Sequence, residues 1–338
     1  MGPGGEHMRY FLGVDGGGTK TLLALCNEDG LVLDAVKVGP TNHEVCPDDF
    51  EGTRRELKNG LGALLSRNGL AVGQVENAAL GLSGCDSIHQ RQILLDMTRD
   101  MGLANFALNN DAFLGIKAGT PAGWGICSIN GTGSIAAGVD IQGRMLQAGG
   151  LGVFSGEEAG GNHLGRMVFK RVYDQAYRLG EKTALTERMF DLMGLSGPED
   201  LAVFWLERLV RPDAPEADAL CRLLFEVAGE GDAVACELLR ETGKILARNA
   251  AGVMRCLSWP EAPVPTVLIG SVYIRPKCTL LLDTFKTELP RLARHEVEIR
   301  PLTAPPVVGA LLWALEAAYP QGTPEFVRQR LMKEVEKL

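Results

Sequence analysis

The chain lacks a basic excess. It carries 34 Lys and Arg against 42 Asp and Glu, a formal charge of −8, with a pI near 5.3. That balance excludes a protein that binds nucleic acid by displacing counterions from phosphates. It also lacks a long apolar run. The longest candidate, Val307 to Leu315, falls well short of the ~18–20 residues a membrane span needs, so no membrane partner is expected. No secretion signal is expected either, since Met1 to His7 is rich in Gly and Pro and has no apolar centre. Met8, just ahead of the first ordered-looking segment, is a candidate start. Paired cysteine motifs are absent. Eight cysteines stand at 26, 46, 85, 127, 221, 236, 256 and 278, none at C-x-x-C spacing, and they are expected to be reduced, mostly buried thiols in the cytoplasm. What is present is 46% hydrophobic and 22% charged residues over 338 positions. That composition excludes wholesale disorder and builds core enough for about two domains.

The apolar pattern has an order that recurs. Tyr10–Asp15, Thr21–Cys26 and Leu31–Val38 read as three strands joined by Gly16-Gly17-Gly18-Thr19 and by a hairpin signal at Asn27–Gly30. A helix over Asp48–Arg67 follows, with Phe50, Leu57, Leu61, Leu64 and Leu65 on one face. Then come a strand over Ala78–Ser83, a helix over Ser87–Met101 with Ser87 as its N-cap, a strand over Phe106–Asn109 and a short helix from Asp111 to Ala118. The second part repeats the order: strands over Trp124–Asn130, Ser134–Asp140 and Met145–Ala148, a helical stretch from about Asn162 to Leu257, a strand over Thr266–Ile269, a helix over Lys277–Leu289, a strand over Glu296–Leu302 and a helix over Pro306–Tyr319. Thr19 to Gly30 and Thr132 to Gly143 are both 11 residues. At an offset of 113, Gly18 falls on Gly131 and Gly39 on Gly152. The expectation is an α/β protein made of two βββαβαβα domains facing each other across a cleft, where ligands bind. The first covers 9–119 and is joined by a C-terminal helical segment over 306–338. The second covers 120–305, with a helical insertion at about 162–257.

The two glycine turns carry the chemistry. Gly16-Gly17-Gly18-Thr19-Lys20-Thr21 is not a P-loop, because Thr19 separates Gly from Lys and the chain continues as a strand. Gly131-Thr132-Gly133 does not open a dinucleotide-binding helix, because the next turn comes too soon. Both turns still expose backbone N–H groups with no Cβ in the way, an array that binds anions, and each adds a Thr hydroxyl. Two such turns, one per domain, suit a polyphosphate. Asp15 beside the first turn would repel phosphate unless a divalent cation lay between, which points to Mg²⁺ held mainly through water. Lys20 either offsets phosphate charge or faces solvent. Asp111, just past a strand's carboxyl end at the start of a helix, is a candidate general base for phosphoryl transfer to an alcohol, or else a helix cap.

Several stretches together resemble the N-acetylglucosamine kinase branch of the BadF/BadG/BcrA/BcrD-type ATPase family, within the actin/hexokinase/Hsp70 superfamily. They are Gly13–Thr19 (GVDGGGT), Gly39–His43 (GPTNH), Leu80–Asp86 (LGLSGCD), Asn110–Ala112 (NDA), Gly131–Ser134 (GTGS), Gly149–Gly152 (GGLG), Leu268–Val272 (LIGSV) and Ala304–Ala310 (APPVVGA). They occur in family order from about residue 9 to 320, and the helical insertion is the least alike. The resemblance implies the duplicated ribonuclease H-like, actin-like ATPase fold and an ATP- and Mg²⁺-dependent kinase of an amino sugar or related hexose. It implies Asp111 as the base that also touches the sugar. It places Asp15, Gly16, Gly17, Gly18, Thr19, Lys20, Gly131, Thr132, Gly133, Gly270 and Ser271 on ATP, and Ala228 more weakly. On the sugar it places Asn42, Ser134, Gly149, Gly150, Gly152 and Glu157. Members are often dimers, so a second copy is the expected protein partner.

Three positions depart from the family's sugar kinases: Leu151 stands for Trp, Glu157 for Asp, and Ile135 for Asn. They imply intact phosphoryl-transfer machinery beside an altered acceptor pocket, so glucosamine, a muramic-type sugar or another polyol joins N-acetylglucosamine as a candidate. Two other functions use the same fold. One is the ATPase activator of a 2-hydroxyacyl-CoA dehydratase, which needs an iron–sulfur cluster on converging cysteines; Cys127 lies beside the second turn without a matching second ligand. The other is a non-catalytic sugar sensor.

Overall fold

Strand β1 (Tyr10–Gly16) pairs antiparallel with β2 (Thr21–Asn27), and β2 pairs antiparallel with β3 (Val32–Val38). On its other edge β1 pairs parallel with β4 (Val75–Leu82), which pairs parallel with β5 (Phe106–Asn109). The sheet order is β3-β2-β1-β4-β5. Helices α1 (Asp49–Arg67) and α2 (Ile88–Asp100) connect β3 to β4 and β4 to β5, and α3 (Ala112–Gly119) follows β5. This is a computed structural model, and it describes residues 8–211, 214–274 and 276–337. The reading of residues 1–7 lies outside the described residues.

Strand alternation sorts this first sheet into two cores. Leu12, Val14, Leu23, Leu25 and Leu80 pack with Leu57, Leu61 and Leu64 of α1 and with Leu94 and Met97 of α2. Phe11, Ala24 and Ala79 on the opposite face pack with Val307, Val308 and Leu311 of the C-terminal region. The expected α1 stripe is therefore the one buried. Each such leucine contributes about 1.5–3 kcal/mol by leaving water. Ser87 caps α2 as expected, its Oγ accepting from the Gln90 N–H at 3.2 Å.

The second sheet repeats the plan. Strands β6 (Gly125–Asn130), β7 (Ser134–Val139) and β8 (Met145–Gly149) are followed, after the helices, by β9 (Val264–Ile269) and β10 (Val297–Pro301). The order β10-β9-β6-β7-β8 is that of the first sheet written from its other edge, with β9 parallel to both β6 and β10. The helical stretch divides into α4 (Gly161–Tyr177), α5 (Ala184–Met193), α6 (Leu201–Phe204), α7 (Pro215–Gly229) and α8 (Ala233–Arg255). Its buried side chains, among them Leu164, Val168, Leu224, Leu239 and Met254, form one core with Ile126 and Ala136 of the sheet.

Between β9 and β10 stand a four-residue turn of helix absent from the sequence reading, α9 (Ser271–Ile274), and α10 (Leu280–Ala293). The expected helix over Lys277–Leu289 thus lies three to four residues further along. Helices α11 (Pro306–Leu315) and α12 (Glu325–Val335) end the described chain. By compactness, residues up to Gly125 and those from Leu302 onward form one unit, and Ile126–Pro301 form the other. The first runs past 119 because Thr120 bonds back to Ile116 and Gly123 to Thr120, closing the end of α3. No described helix is long and apolar enough to cross a membrane.

Candidate active site

In the first unit, the loops after β1, β3, β4 and β5 meet at the carboxyl end of the sheet. The β1–β2 turn closes through Gly17 N–H to Lys20 C=O at 3.1 Å. Two neighbouring loops then lock onto it: Thr41 N–H donates to Gly17 C=O at 3.1 Å, and Ser83 N–H donates to Gly16 C=O at 2.8 Å. The Thr21 and Thr41 hydroxyls bond each other at 2.8 Å beneath the turn. Glycine is required at position 16, since a Cβ there would lie 2.4 Å from Thr41 Oγ1 and 2.5 Å from Leu82 Cδ2. Gly18 sits near Asn42, whose Nδ2 would lie 4.0 Å from a Cβ at position 18. Thr19 and Lys20 are exposed at the tip of the turn.

Asn42 is buried. Its Oδ1 accepts from Glu44 N–H at 2.9 Å and its Nδ2 donates to Ser83 Oγ at 3.4 Å. Asp111, after β5, lies within electrostatic range of Asp15, at the end of β1, and of Asp86. Burial pushes Asp15 up to about 6, partly offset by the Lys20 ammonium. Burial, then the Asp15 charge, then the Asp86 charge push Asp111 up to about 7. A carboxyl group near 7 can take a proton and release it again at neutral pH, as general base catalysis requires.

Asp111 occupies the N-cap position of α3 with no side-chain capping bond, and its carboxylate faces its own N–H and that of Ala112, which partly offset the rise. Asn110 Oδ1 accepts from the same Ala112 N–H at 2.9 Å. The sequence reading assigned no role to Asn110 or Asp86, although both lie in stretches that carry the resemblance.

In the second unit, the Gly131-Thr132-Gly133 turn is backed by the start of α4. Gly161 N–H donates to Gly131 C=O at 2.8 Å, and Asn162 N–H donates to Thr132 C=O at 3.2 Å. The positive end of that helix dipole therefore stands behind the turn, where it favours an anion. Gly270, with φ of +106°, packs against the carbonyl of Asn130; a Cβ there would sit 2.2 Å from that oxygen. Ser271 beside it lines a cavity of about 650 Å³ with Cys221, Phe225 and Gly229 of α7, and with Val272 and Cys278. That volume suits a nucleoside-sized ligand. The cavity's α7 residues, 218, 221, 222, 225, 226 and 229, lie on one helix face, and this spacing was the available signal. Ala228 is buried within α7, and its neighbours Glu226, Gly229 and Glu230 reach the cavity.

On the far side of the turn, Ser134 O lies 3.1 Å, and Glu157 Oε1 3.4 Å, from where a Gly149 Cβ would stand. Glu157 Oε1 accepts from Gly150 N–H, so this carboxylate holds the glycine loop. Gly152 has open space where a Cβ would be. Ile135 pairs with Gly149 across β7 and β8. Asn130, fully buried, has neither amide atom bonded, and the buried Ser134 Oγ is unbonded as well.

For Mg²⁺ the relevant observation is chemical. Among the described residues no three His, Cys, Asp or Glu side chains gather to cage a metal, but Mg²⁺ takes one or two carboxylates and fills its shell with water and phosphate oxygens. Asp15, a carboxylate whose charge is costly where it stands, beside a turn of exposed amides, fits that role.

Comparison with known proteins places this site in context. The chain is 30% identical over 266 residues to an N-acetylmuramic acid/N-acetylglucosamine kinase of Clostridium acetobutylicum, covering 78% of this chain and 86% of the relative. It is 26% identical over 317 residues to an N-acetyl-D-glucosamine kinase of Dictyostelium discoideum, covering 91% and 98%. A crystal structure from Chromobacterium violaceum, provisionally assigned as an N-acetylglucosamine kinase, superposes with a TM-score of 0.66 at 25% identity over 91% of this chain and 99% of that one. A ROK family glucokinase from Streptomyces griseus shares the fold, with a TM-score of 0.53 at 19% identity. The sequence profile of the BadF/BadG/BcrA/BcrD ATPase family matches residues 12–314, and the chain belongs to that family.

Proposed function

We propose that this protein is an ATP- and Mg²⁺-dependent kinase of an amino sugar or related hexose, with Asp111 as general base. The observation that carries the reading is the state of Asp111. It stands at a strand's carboxyl end, makes no side-chain capping bond to α3, and is raised to about 7 by burial and by Asp15 and Asp86. In the reaction, an acceptor hydroxyl hydrogen-bonds to the Asp111 carboxylate. As the hydroxyl oxygen bonds to the γ-phosphorus and the bond to the β-phosphate oxygen breaks, the proton passes to Asp111; ADP leaves, and the proton then returns to water. Such a base is worth roughly 10²–10⁴ in rate.

The amides of Gly16–Gly18, the Thr19 hydroxyl and Lys20 in the first unit, and Gly131–Gly133 with Thr132 in the second, supply donors to phosphate oxygens. Bound Mg²⁺ neutralises charge on those oxygens, and Asp15 would hold it, mainly through water. The 650 Å³ cavity beside Ser271 takes the nucleoside. For the acceptor the reading assigns Asn42 in the first unit and Ser134, Gly149, Gly150, Gly152 and Glu157 in the second. The names of the relatives favour N-acetylglucosamine or N-acetylmuramic acid. Ile135 cannot make a polar contact, so a narrower preference is set by what packs against its side chain.

The test is ADP release from Mg-ATP across amino sugars and plain hexoses, with Asp111→Ala beside the wild type. The expected result is acceptor-dependent ADP release that falls at least 10²-fold in the variant. Undiminished release in Asp111→Ala, or release indifferent to every acceptor, would overturn the reading.

A further inference from the structure

The first N–H of α3, that of Ala112, is held by Asn110, and Asn110 is itself tethered. Its Nδ2 donates to Asp86 Oδ1 at 2.9 Å while its Oδ1 accepts from Ala112 N–H at 2.9 Å. Only one setting of the amide satisfies both bonds, oxygen toward the helix and nitrogen toward the carboxylate. Asn110 is 3% exposed, so water does not readily replace either partner.

Asp86 is fixed from its other side. Its N–H donates to Gln90 Oε1 at 3.1 Å, and Gln90 Nε2 lies 3.3 Å from His43 Nε2. The His43 ring stacks on Phe50 with centroids 4.0 Å apart and planes 8° from parallel. A continuous polar chain thus runs from the loop that bears Asn42 to the residue directly before Asp111.

We propose that Asp86 and Asn110 are a positioning pair for Asp111: the tether fixes the main chain at 110–112, and so fixes where the base carboxylate stands. The proposal rests on the reading of Asp111 as the base. Neither residue meets the reacting atoms; they act through the start of α3. A helix cap that served stability alone would need Asn110 but not its bond to Asp86, and variants separate the two. Asn110→Ser keeps an oxygen able to cap α3 and loses the tether. Asp86→Ala loses the tether and leaves the cap. Asp86→Asn keeps an oxygen that accepts from Asn110 and removes the charge.

The experiment measures kcat and KM for Mg-ATP and for the best acceptor of the sugar panel, with thermal melting of each variant and with Asp111→Ala alongside. A base misplaced by about an ångström loses on the order of 10²-fold in rate. Asp86→Ala and Asn110→Ser are therefore expected to lose roughly 10–100-fold in kcat, with both KM values within about threefold of wild type. Asp86→Asn is expected to keep kcat within about fivefold, because its amide oxygen rescues the bond.

Wild-type kcat in Asp86→Ala and Asn110→Ser overturns the proposal. So does a loss that falls on the acceptor KM, which would put Asp86 on the substrate, or an Asp86→Asn as impaired as Asp86→Ala. Should Asn110→Ser fail to fold, the two Asp86 variants decide. If Asp111→Ala is active, the base reading falls and takes this one with it. If Asp111→Ala is inactive while the positioning variants match wild type, only the positioning proposal falls.

Discussion

The two sheets are the same object in topology and different objects in chemistry. Each has the order hairpin edge, central strand, two parallel strands, and each carries a glycine turn after its central strand. The first unit gathers three carboxylates, Asp15, Asp86 and Asp111, and burial, then the charges of the first two, raise the last to about 7. At the repeat offset of 113, Asp15 falls on Ser128, whose hydroxyl bonds Tyr273 at 2.9 Å in the interior. After β9 and β10, where the first sheet has Asp86 and Asp111, the chain reads Gly270-Ser271 and Leu302-Thr303-Ala304. The second sheet has kept the glycine turn, backed by the start of α4, and has no acid at these positions. Duplication preserves what the backbone does, because turns and strand order are set by packing. Side-chain chemistry can concentrate in one copy.

Exchanging the chemistry of the equivalent positions tests that division most strongly. Asp15→Asn is expected to cut kcat/KM for Mg-ATP by roughly 10²-fold or more, since the carboxylate proposed to hold Mg²⁺ beside the transferring phosphoryl group is lost. Ser128→Ala at the equivalent position is expected to leave kcat within about twofold and to destabilise by about 1–3 kcal/mol, because the Tyr273 hydroxyl is left buried without a partner. Steady-state kinetics beside chemical denaturation measure both. A Ser128→Ala enzyme as slow as Asp15→Asn would mean that the second sheet also does chemistry.

The carboxylate cluster should also divide the two sheets in their pH response. Asp111 must be ionised to accept a proton, so kcat is expected to rise through a midpoint near 7 and to fall about tenfold per pH unit well below it. Stability runs the other way. The folded-state values of Asp111 and Asp15 lie above the ordinary value of 3.8. The folded protein therefore binds protons between about pH 4 and 7 that the unfolded chain has released, and their stabilising effect fades as pH rises through 6 to 7. Asp111→Asn removes the Asp111 share of that dependence and leaves that of Asp15. It is expected to raise the melting temperature at pH 8 more than at pH 5, with a difference of on the order of 1–3 kcal/mol. A variant equally stabilised at both pH values, or destabilised at pH 8, would contradict the assignment.

Much of this was legible in the sequence because it is carried by short-range rules. Strand alternation, the Gly turns, the α1 stripe and the Ser87 cap each depend on residues within a few positions of one another, and each is found where periodicity put it. The repeat offset located the second turn. What stayed hidden depends on partners distant in sequence. Asn110 reads as a bystander until Asp86, 24 residues away, is seen bonded to it. Glu157 reads as a sugar ligand, and the bond of its Oε1 to the Gly150 amide, seven residues back, carries no sequence signal. The cavity beside Ser271 is assembled from α7 and the segment after β9, more than forty residues apart, and α9 is too short to leave a periodic signal.

The smallest expected effect concerns a residue that sequence reading passed over. Asn130 ends β6 fully buried, with neither amide atom bonded, next to Ser134 Oγ in the same condition. An unsatisfied buried polar group costs about 1–3 kcal/mol, and side chains in that state are commonly found where a ligand or water completes them. In Asn130→Ala the ligand-free protein loses the penalty along with the side chain. Its melting temperature is expected to stay within a few degrees of wild type, whereas a buried, fully bonded Asn would cost far more to truncate. If the amide meets bound nucleotide, the thermal shift produced by saturating Mg-ATP should shrink in the variant, by about the worth of one or two hydrogen bonds, roughly 1–3 kcal/mol. The shift produced by acceptor alone should not change. A ligand-free protein that melts many degrees lower would show that Asn130 is bonded in solution, and the second turn would then be a rigid structural copy of the first.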